Sequence, residues 1–395
     1  RTSRRSHSAS ARRAYQIYRG DPSRVAIIIC HHSLPAWLLL LLPHSSGYFF
    51  SSTSSNAFEL KYGKFCSREI SKMREMHNEF VLGLGTTTKK TMVIINCARR
   101  RKKKMSGFRV CSYNVLAQCY VKSEWFSWTQ PKSLLKWKHR RERLRIKLRD
   151  ELKADILCLQ EVEDFTTDWK DFIENELNMG CFYKQRTQKS NNKRDGSLVC
   201  WNKDKFEILS TKGIEFNEVV TKLLEANEEE KKEYERDCIA ACVMLLHKAS
   251  NVRIACVSTH LYWDPAKAFV KLKQAEYLRQ EIERWTQTNC ILIGGDFNSL
   301  ATSDVYKSMI ENNYVSLMRD GETGKEPIYT NVTPSFTETI DYIFASNTST
   351  NNWIRTVTPG KVKERDLLFD GCPCQNEPSD HLPIYCDVEL AYVSE

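Results

Sequence analysis

ILIGGDFNSL, residues 291–300, sets three apolar residues before two glycines and then places Asp296 and Asn298 two positions apart. On an extended strand the side chains at i and i+2 share a face. The acid and the amide can therefore reach one common atom. A glycine turn with Asx capping has the same composition, and this stretch taken singly does not separate the two readings. The rest of the chain does.

Seven further stretches have the same texture: FRVCSYNVL (108–116), DILCLQEV (155–162), GSLVCWN (196–202), CIAACVMLL (238–246), VRIACVSTHL (252–261), TIDYIF (339–344) and LPIYCDVEL (382–390). Most are rich in Val, Ile, Cys or Tyr and are bounded by polar residues, which is the signature of strands. Between them, SLLKWKHRRERLRIKLRDEL (133–152) and AKAFVKLKQAEYLRQEIERW (266–285) carry apolar residues near helical spacing. EVVTKLLEANEEEKKEYERD (218–237) reads as a charged surface helix. Short buried strands with flanking helices predict an α/β layered sandwich. No internal repeat is present.

Charge is unevenly distributed. Residues 1–104 hold 20 of the 59 Lys and Arg but only 5 of the 49 Asp and Glu. The body of the chain is therefore mildly acidic, and nucleic-acid binding there must come from local basic clusters or bound cations. The first 56 residues hold seven Arg, a dozen Ser and one acid, Asp21, which is transit-peptide composition. AWLLLLL is too short to span a bilayer, and RRRKKK (99–104) fits a nuclear signal or a solvated linker. These features set an expected organisation: a basic targeting or disordered segment over 1–104 and a catalytic domain over 105–395. The expected location is cytoplasm and nucleus, with the mitochondrion as the alternative and no membrane association. Fifteen cysteines are scattered. Cys158, Cys200, Cys242 and Cys256 sit in apolar runs as small hydrophobes, Cys372 and Cys374 read as loop residues, and a reduced intracellular protein is expected.

Several strand candidates finish in a polar residue that a core would not accept: Asn114, Glu161, His260, and Asp296 with Asn298. Asp341 sits in TIDYIF, and Asp380 with His381 precedes LPIYCDV. Each alone fits a helix cap or a hydrogen-bonded core histidine. Together they can converge on one pocket at a sheet edge. Carboxylates from Glu161 and Asp296, with the amide of Asn298 or Asn114, suit Mg2+ and a phosphate or water. Clustered thiolates and paired histidines, which would mark structural zinc, are missing. His381 can stabilise phosphate charge with Asp341 orienting it. These parts spell metal-assisted phosphoester hydrolysis.

SYNVLAQ, LQEV, STHLYWDP, GGDFNS, YTNVTPSFTETIDYIF and SDHLP, in this order, resemble the endonuclease/exonuclease/phosphatase superfamily. STHLYWDP and YTNVTPSFT are similar to the carbon catabolite repressor 4 branch of poly(A)-specific exoribonucleases, in its short plant form. The resemblance covers residues 106–392. It implies a four-layer α/β/β/α sandwich of the DNase I-like type, with Mg2+ (Mn2+ as a substitute) at the top of two packed sheets. Glu161 would be the principal metal ligand, with Asn114, Asp296 and Asn298 completing the metal, water and phosphate contacts. Asp296 would activate water, and His260 would contact the phosphate or leaving group. Asp341 and His381 would form the charge-stabilising pair, with Asp380 beside it. Pro265 and Phe336 match residues that sandwich the terminal base, and Trp263 is a further aromatic there. The implied partner is single-stranded RNA, its poly(A) tail being the substrate. The alternative is a nucleotide phosphatase or 2′-phosphodiesterase of the same fold. Glu338 stands where a small residue is expected, which adds negative charge beside the base-binding turn. No leucine-rich-repeat docking module is legible ahead of the nuclease pattern. Because the mixed strand and helix pattern starts only at Phe108, residues 105–395 are expected to fold without the first 104. Soluble expression with a single cooperative unfolding transition checks this, and an insoluble product would move the boundary.

Overall fold

The computed structural model describes residues 107–188, 194–222, 227–346 and 353–391, and the backbone of seven strand segments between residues 15 and 95. Five of those segments pair in chain order from Tyr15–Ile17 to Phe58–Leu60, and Phe80–Thr86 forms a hairpin with Lys89–Ile95. Most of the segment read as targeting or disordered lies outside the described residues.

Among the described residues from Gly107 onward, twelve strands build the body of the domain, apart from a small hairpin of Asn331–Val332 with Thr337–Glu338: β1 (Gly107–Asn114), β2 (Ile156–Gln160), β3 (Met179–Gln185), β4 (Gly196–Asn202), β5 (Phe206–Glu215), β6 (Ile239–His247), β7 (Val252–His260), β8 (Ile291–Asp296), β9 (Tyr314–Ser316), β10 (Asp341–Ser346), β11 (Ile354–Pro359) and β12 (Ile384–Leu390). They form two six-stranded sheets, in the orders β3-β4-β2-β1-β12-β11 and β5-β6-β7-β8-β10-β9. Helix α1 (Trp137–Ile146), continued over Lys147–Leu152, covers the first sheet. Helices α2 (Ala268–Trp285) and α3 (Asp304–Glu311) cover the second.

Side-chain alternation builds the layers. On β2, Ile156 and Cys158 face the other sheet, while Leu157 and Leu159 pack outward with Leu144 and Leu148 of the α1 segment. On β8, Leu292 faces inward, while Ile291 and Ile293 meet Leu278 and Ile282 of α2. Both faces of these strands are covered, which is why they read as continuous apolar runs. The architecture is the expected α/β/β/α sandwich. No helix among the described residues is long and apolar enough to cross a membrane.

One local reading changes and another gains detail. The stretch 218–237 holds two short helices, Val219–Lys222 and Glu228–Tyr234, and Val219 and Val220 are buried against the second sheet's outer core. Its first half is therefore an anchored element, held by its two valines. Cys372 and Cys374 lie in a loop, but both are buried with Val332, Leu368 and Leu382 in a small apolar cluster. Cys158, Cys200, Cys242 and Cys256 are fully buried, as expected.

Topology fixes where the polar ends go. β1 and β2 are parallel in the first sheet, and β7 and β8 are parallel in the second. Parallel neighbours finish at the same edge. Antiparallel β10 and β12 begin there: Asp341 pairs with Asp296, and Ile384 pairs with Ser112. The two glycines of ILIGGD answer to space. A Cβ on Gly294 would lie 2.9 Å from Cys158 Cβ and 3.1 Å from Ser112 Cβ on the facing sheet. One on Gly295 would lie 2.4 Å from the Thr259 carbonyl oxygen. Gly294→Ala is therefore expected to lower stability by about 1–3 kcal/mol, the usual cost of overpacking. Gly321→Ala, where nothing lies within 4 Å, is the control. Urea unfolding of both variants decides, and equal midpoints would mean that the sheets yield at Gly294.

Candidate active site

Beneath the shared edge lies a buried polar seam. Gln160 Nε2 donates to Ser258 Oγ at 3.0 Å across the sheets, and Ser258 Oγ donates to the Leu159 carbonyl at 2.8 Å. Asn114, fully buried at the end of β1, continues the seam upward. Its Nδ2 donates to Glu161 Oε1 and to Asp296 Oδ2, each at 3.0 Å. Its Oδ1 accepts from Leu116 N at 3.0 Å. The amide therefore meets both carboxylates as a donor, and Glu161 and Asp296 supply the oxygens.

Glu161 follows β2 with φ at +57°. That left-handed conformation costs a non-glycine residue about 1–2 kcal/mol, and it turns the carboxylate into the cleft. Ala117 N donates to Glu161 Oε2 at 2.9 Å. Asn298 is also left-handed, at φ +47°, which asparagine tolerates. Its backbone N–H donates to Asp296 Oδ1 at 2.9 Å, and its side-chain Nδ2 donates to the Leu261 carbonyl at 3.1 Å. The amide is thus engaged at the rim of the site.

Asp296 Oδ2 is the focal atom. Beyond Asn114, His260 Nε2 lies 3.4 Å away and His381 Nε2 lies 3.5 Å away. His260 Nδ1 is 4.0 Å from Glu161 Oε1. His381 Nδ1 faces Asp341 Oδ2 at 2.8 Å, and that same oxygen accepts from Thr330 Oγ1 at 2.6 Å. Asp380 lies beside this pair, with Oδ1 3.4 Å from Ser379 Oγ.

Burial sets the charge states. It pushes Glu161 up to about 7, with the charges of Asp380 and Asp195 adding to the effect. It also raises Asp296, against the pull of His260 and His381. Burial opposes protonation of His381, but Asp341 and Asp296 outweigh it and hold that imidazole well above its ordinary value. Hard oxygens from the buried Asp296 and the half-buried Glu161, with no thiolate among the residues that meet here, suit a divalent cation such as Mg2+. Asp296, Asp341 and His381 also bring ligand atoms within 4.8 Å of one another. In that group Asp341 Oδ2 and His381 Nδ1 are already turned on each other, which leaves the Glu161–Asp296 side as the better cation seat.

The expected base-binding residues are on the surface. Phe336 is 40% exposed and Trp263 is 66% exposed, so neither is core, and Pro265 is exposed too. Each belongs to a segment tied to the site. Asn331–Val332 and Thr337–Glu338 form a hairpin carrying Phe336, and Val332 N donates to the Asp380 carbonyl at 3.0 Å. Tyr262 N donates to Gln274 Oε1 of α2 at 2.9 Å. Three supporting residues had no distinct sequence signal. Thr330 lies inside the YTNVTPSFT motif but was not separable from its neighbours. Ser379 donates to the Asn114 carbonyl at 2.7 Å, and the buried Lys271 donates to the Asn298 carbonyl at 2.7 Å.

The chain is also similar to known proteins. Residues 111–381 match the Endonuclease/Exonuclease/phosphatase family. Carbon catabolite repressor protein 4 homolog 4 of Arabidopsis thaliana is 31% identical over 331 residues, covering 72% of this chain and 78% of that protein. The CCR4-Not complex 3′-5′-exoribonuclease subunit Ccr4 of Candida albicans is 30% identical over 72% of this chain, which spans only 41% of that relative. Among solved structures, ANGEL2, a 2′,3′-cyclic phosphatase, in complex with adenosine-2′,3′-vanadate has a TM-score of 0.59 at 23% identity, covering 72% of this chain and 96% of that one. The human Nocturnin catalytic domain with bound sulfate has a TM-score of 0.56 at 23% identity, covering 72% and 94%. The two structures speak for the fold. The chain belongs to the Endonuclease/Exonuclease/phosphatase family.

Proposed function

We propose that this chain is a Mg2+-dependent 3′-5′ exoribonuclease that shortens poly(A), with Mn2+ able to substitute. The observation that carries the reading is the meeting of Glu161, Asn114, Asp296 and the two histidines at one sheet edge. Relatives named as carbon catabolite repressor 4 homologues and as 3′-5′-exoribonuclease subunits support it.

Glu161 and Asp296 would hold the cation, which supplies charge neutralisation for the phosphate. Asp296, with one oxygen fixed by Asn298 N and the other facing both histidines, accepts the proton of the attacking water. His381, kept cationic by Asp341, stabilises the charge that develops on phosphate. His260 contacts the phosphate or leaving group, and Asp380 adds charge beside His381. Phe336, Pro265 and Trp263 receive the terminal base. Stacking of this kind tolerates any base, so adenine preference requires edge contacts as well.

Glu338 favours a second reading, a nucleotide phosphatase or 2′-phosphodiesterase. It is exposed in the hairpin that carries Phe336 and places negative charge where an RNA backbone would approach. Labelled A20, C20 and U20 RNA, assayed beside a 2′-phosphorylated dinucleotide with Mg2+ and with EDTA, separates the two. Progressive shortening of A20 that EDTA abolishes is expected, and turnover of the dinucleotide alone would replace the first reading with the second.

Glu161→Gln is expected to abolish hydrolysis, a loss of several kcal/mol in transition-state stabilisation. In EDTA the same variant should be no less stable than the wild type. A buried carboxylate raised to about 7 weakens the fold increasingly as pH climbs from the ordinary carboxylate range through 7. Above that pH, glutamine should therefore unfold at higher urea, and a lower midpoint at pH 8 would contradict the assignment. For Phe336→Ala, turnover of RNA should fall by about 1–3 kcal/mol, the usual stacking loss. Its Tm should change little, because an exposed ring buries little area. A large Tm shift with an unchanged rate would remove Phe336 from the substrate path.

A further inference from the structure

Arg140 lies in the first turn of α1 and is fully buried, a rare position for an arginine. Its acceptors are all neutral. Nε donates to the Pro378 carbonyl at 2.8 Å. One terminal nitrogen donates to Gln118 Oε1 at 3.1 Å, and the other to the Val115 carbonyl at 2.7 Å and the Leu116 carbonyl at 2.5 Å. Burying a cation without a carboxylate costs stability. Burial accordingly lowers its pKa to about 10, against the opposing pull of Tyr113, Asp380 and Glu161. The guanidinium therefore stays charged at neutral pH.

The contacts are not spread through the core. They fall on two loops, one leaving β1 and one approaching β12. On the first, Leu116 is left-handed at φ +58°, a strained setting for leucine. Its carbonyl is held by Arg140, and its N–H is held by Asn114 Oδ1. That twist aims the next N–H, Ala117, at Glu161 Oε2. On the second loop, Pro378 precedes Ser379, whose hydroxyl donates to the Asn114 carbonyl and accepts from His381 N at 3.2 Å. A single planar fork thus ties the Glu161 side of the cleft to the His381 side.

We infer that Arg140 is a positioning residue, which sets Glu161 and His381 at working separation by bolting the two loops together. The inference rests on the reading of Glu161 and Asp296 as the cation seat. Lysine would keep the charge but not the fork, because an ammonium is a point donor that cannot reach four acceptors on two loops.

Mn2+ binding by calorimetry, with RNA kinetics on the same samples, tests this on the full chain. Arg140→Lys is expected to raise the Mn2+ dissociation constant and lower kcat by roughly 10- to 100-fold each, the usual effect of losing a residue that orients ligands. KM for RNA should stay within about two-fold, because no base or phosphate contact is removed. A merely structural arginine would lower Tm while leaving the dissociation constant and kcat of the folded fraction unchanged, and that result overturns the inference. Gln118→Leu removes one of the four acceptors and keeps the guanidinium. It should shift both quantities in the same direction by a smaller factor, and it decides the matter should Arg140→Lys not fold, with unchanged values again counting against the inference. A wild-type chain that binds no Mn2+ would overturn the cation seat, and this inference with it. A wild type that binds Mn2+ as tightly as both variants overturns this inference alone.

Discussion

An amide joins the two sheets at their working edge. Asn114 belongs to the first sheet, yet its Nδ2 donates to Asp296 of the second as well as to Glu161 of its own. Two carboxylates facing one cleft with little solvent repel each other, and each is costly to hold ionised there. A shared neutral donor lowers that cost without taking up either charge. It also fixes the distance between layers, because β1 and β8 must lie close enough for one side chain to span them. Gly294 meets the same requirement from below, where no Cβ fits between β8 and the Cys158–Ser112 surface. The glycines of ILIGGD and the asparagine of SYNVLAQ therefore answer to one constraint, the close approach of two sheets at the edge where their parallel pairs end.

Most of this was legible in the sequence because strands buried on both faces leave a strong trace. The apolar runs at 108–116, 155–162, 252–261 and 291–296 became β1, β2, β7 and β8, and the polar residue closing each run marked the cleft. Less legible were residues whose role depends on a contact across the fold. Arg140 sits in a run of basic residues, most of which keep some exposure, and nothing local tells the buried ones apart. Lys271 and Gln274 look like the polar face of an amphipathic helix, but α2 turns them inward onto the Asn298 carbonyl and the Tyr262 N–H. Periodicity reports which face is apolar. It does not report a buried polar side chain whose acceptor is a main-chain carbonyl far along the chain. The valines of 219–220 show the converse limit, since charge-rich surroundings hid a short anchored helix.

Part of the backbone strain among the described residues falls at the cleft. Leu116, Glu161 and Asn298 are all left-handed, and all three flank the cleft. Such conformations persist only when neighbours over-determine them. Here the neighbours are identifiable: Arg140 and Asn114 on Leu116, Ala117 N–H on Glu161, and Lys271 with Asp296 on Asn298. The site is therefore rigid by construction. Its donors and acceptors are set before any substrate arrives, which is the arrangement that electrostatic catalysis favours.

Rigidity of this kind cannot also supply selectivity for a base. On the function proposed, the groups around Asp296 would meet a phosphate and a water, which every nucleotide presents alike. Discrimination must come from the exposed segments, where Phe336, Pro265, Trp263 and Glu338 stand. Those segments hang on the site by main-chain bonds. Val332 N reaches the Asp380 carbonyl, and Leu382 N reaches the Thr330 carbonyl, while Thr330 itself holds Asp341. Changes at their tips can alter what is bound without moving the atoms that cut. A common cleft can thus serve different phosphoesters, because the hydrogen bonds that define it and the exposed side chains proposed to face the base are separate parts of the structure.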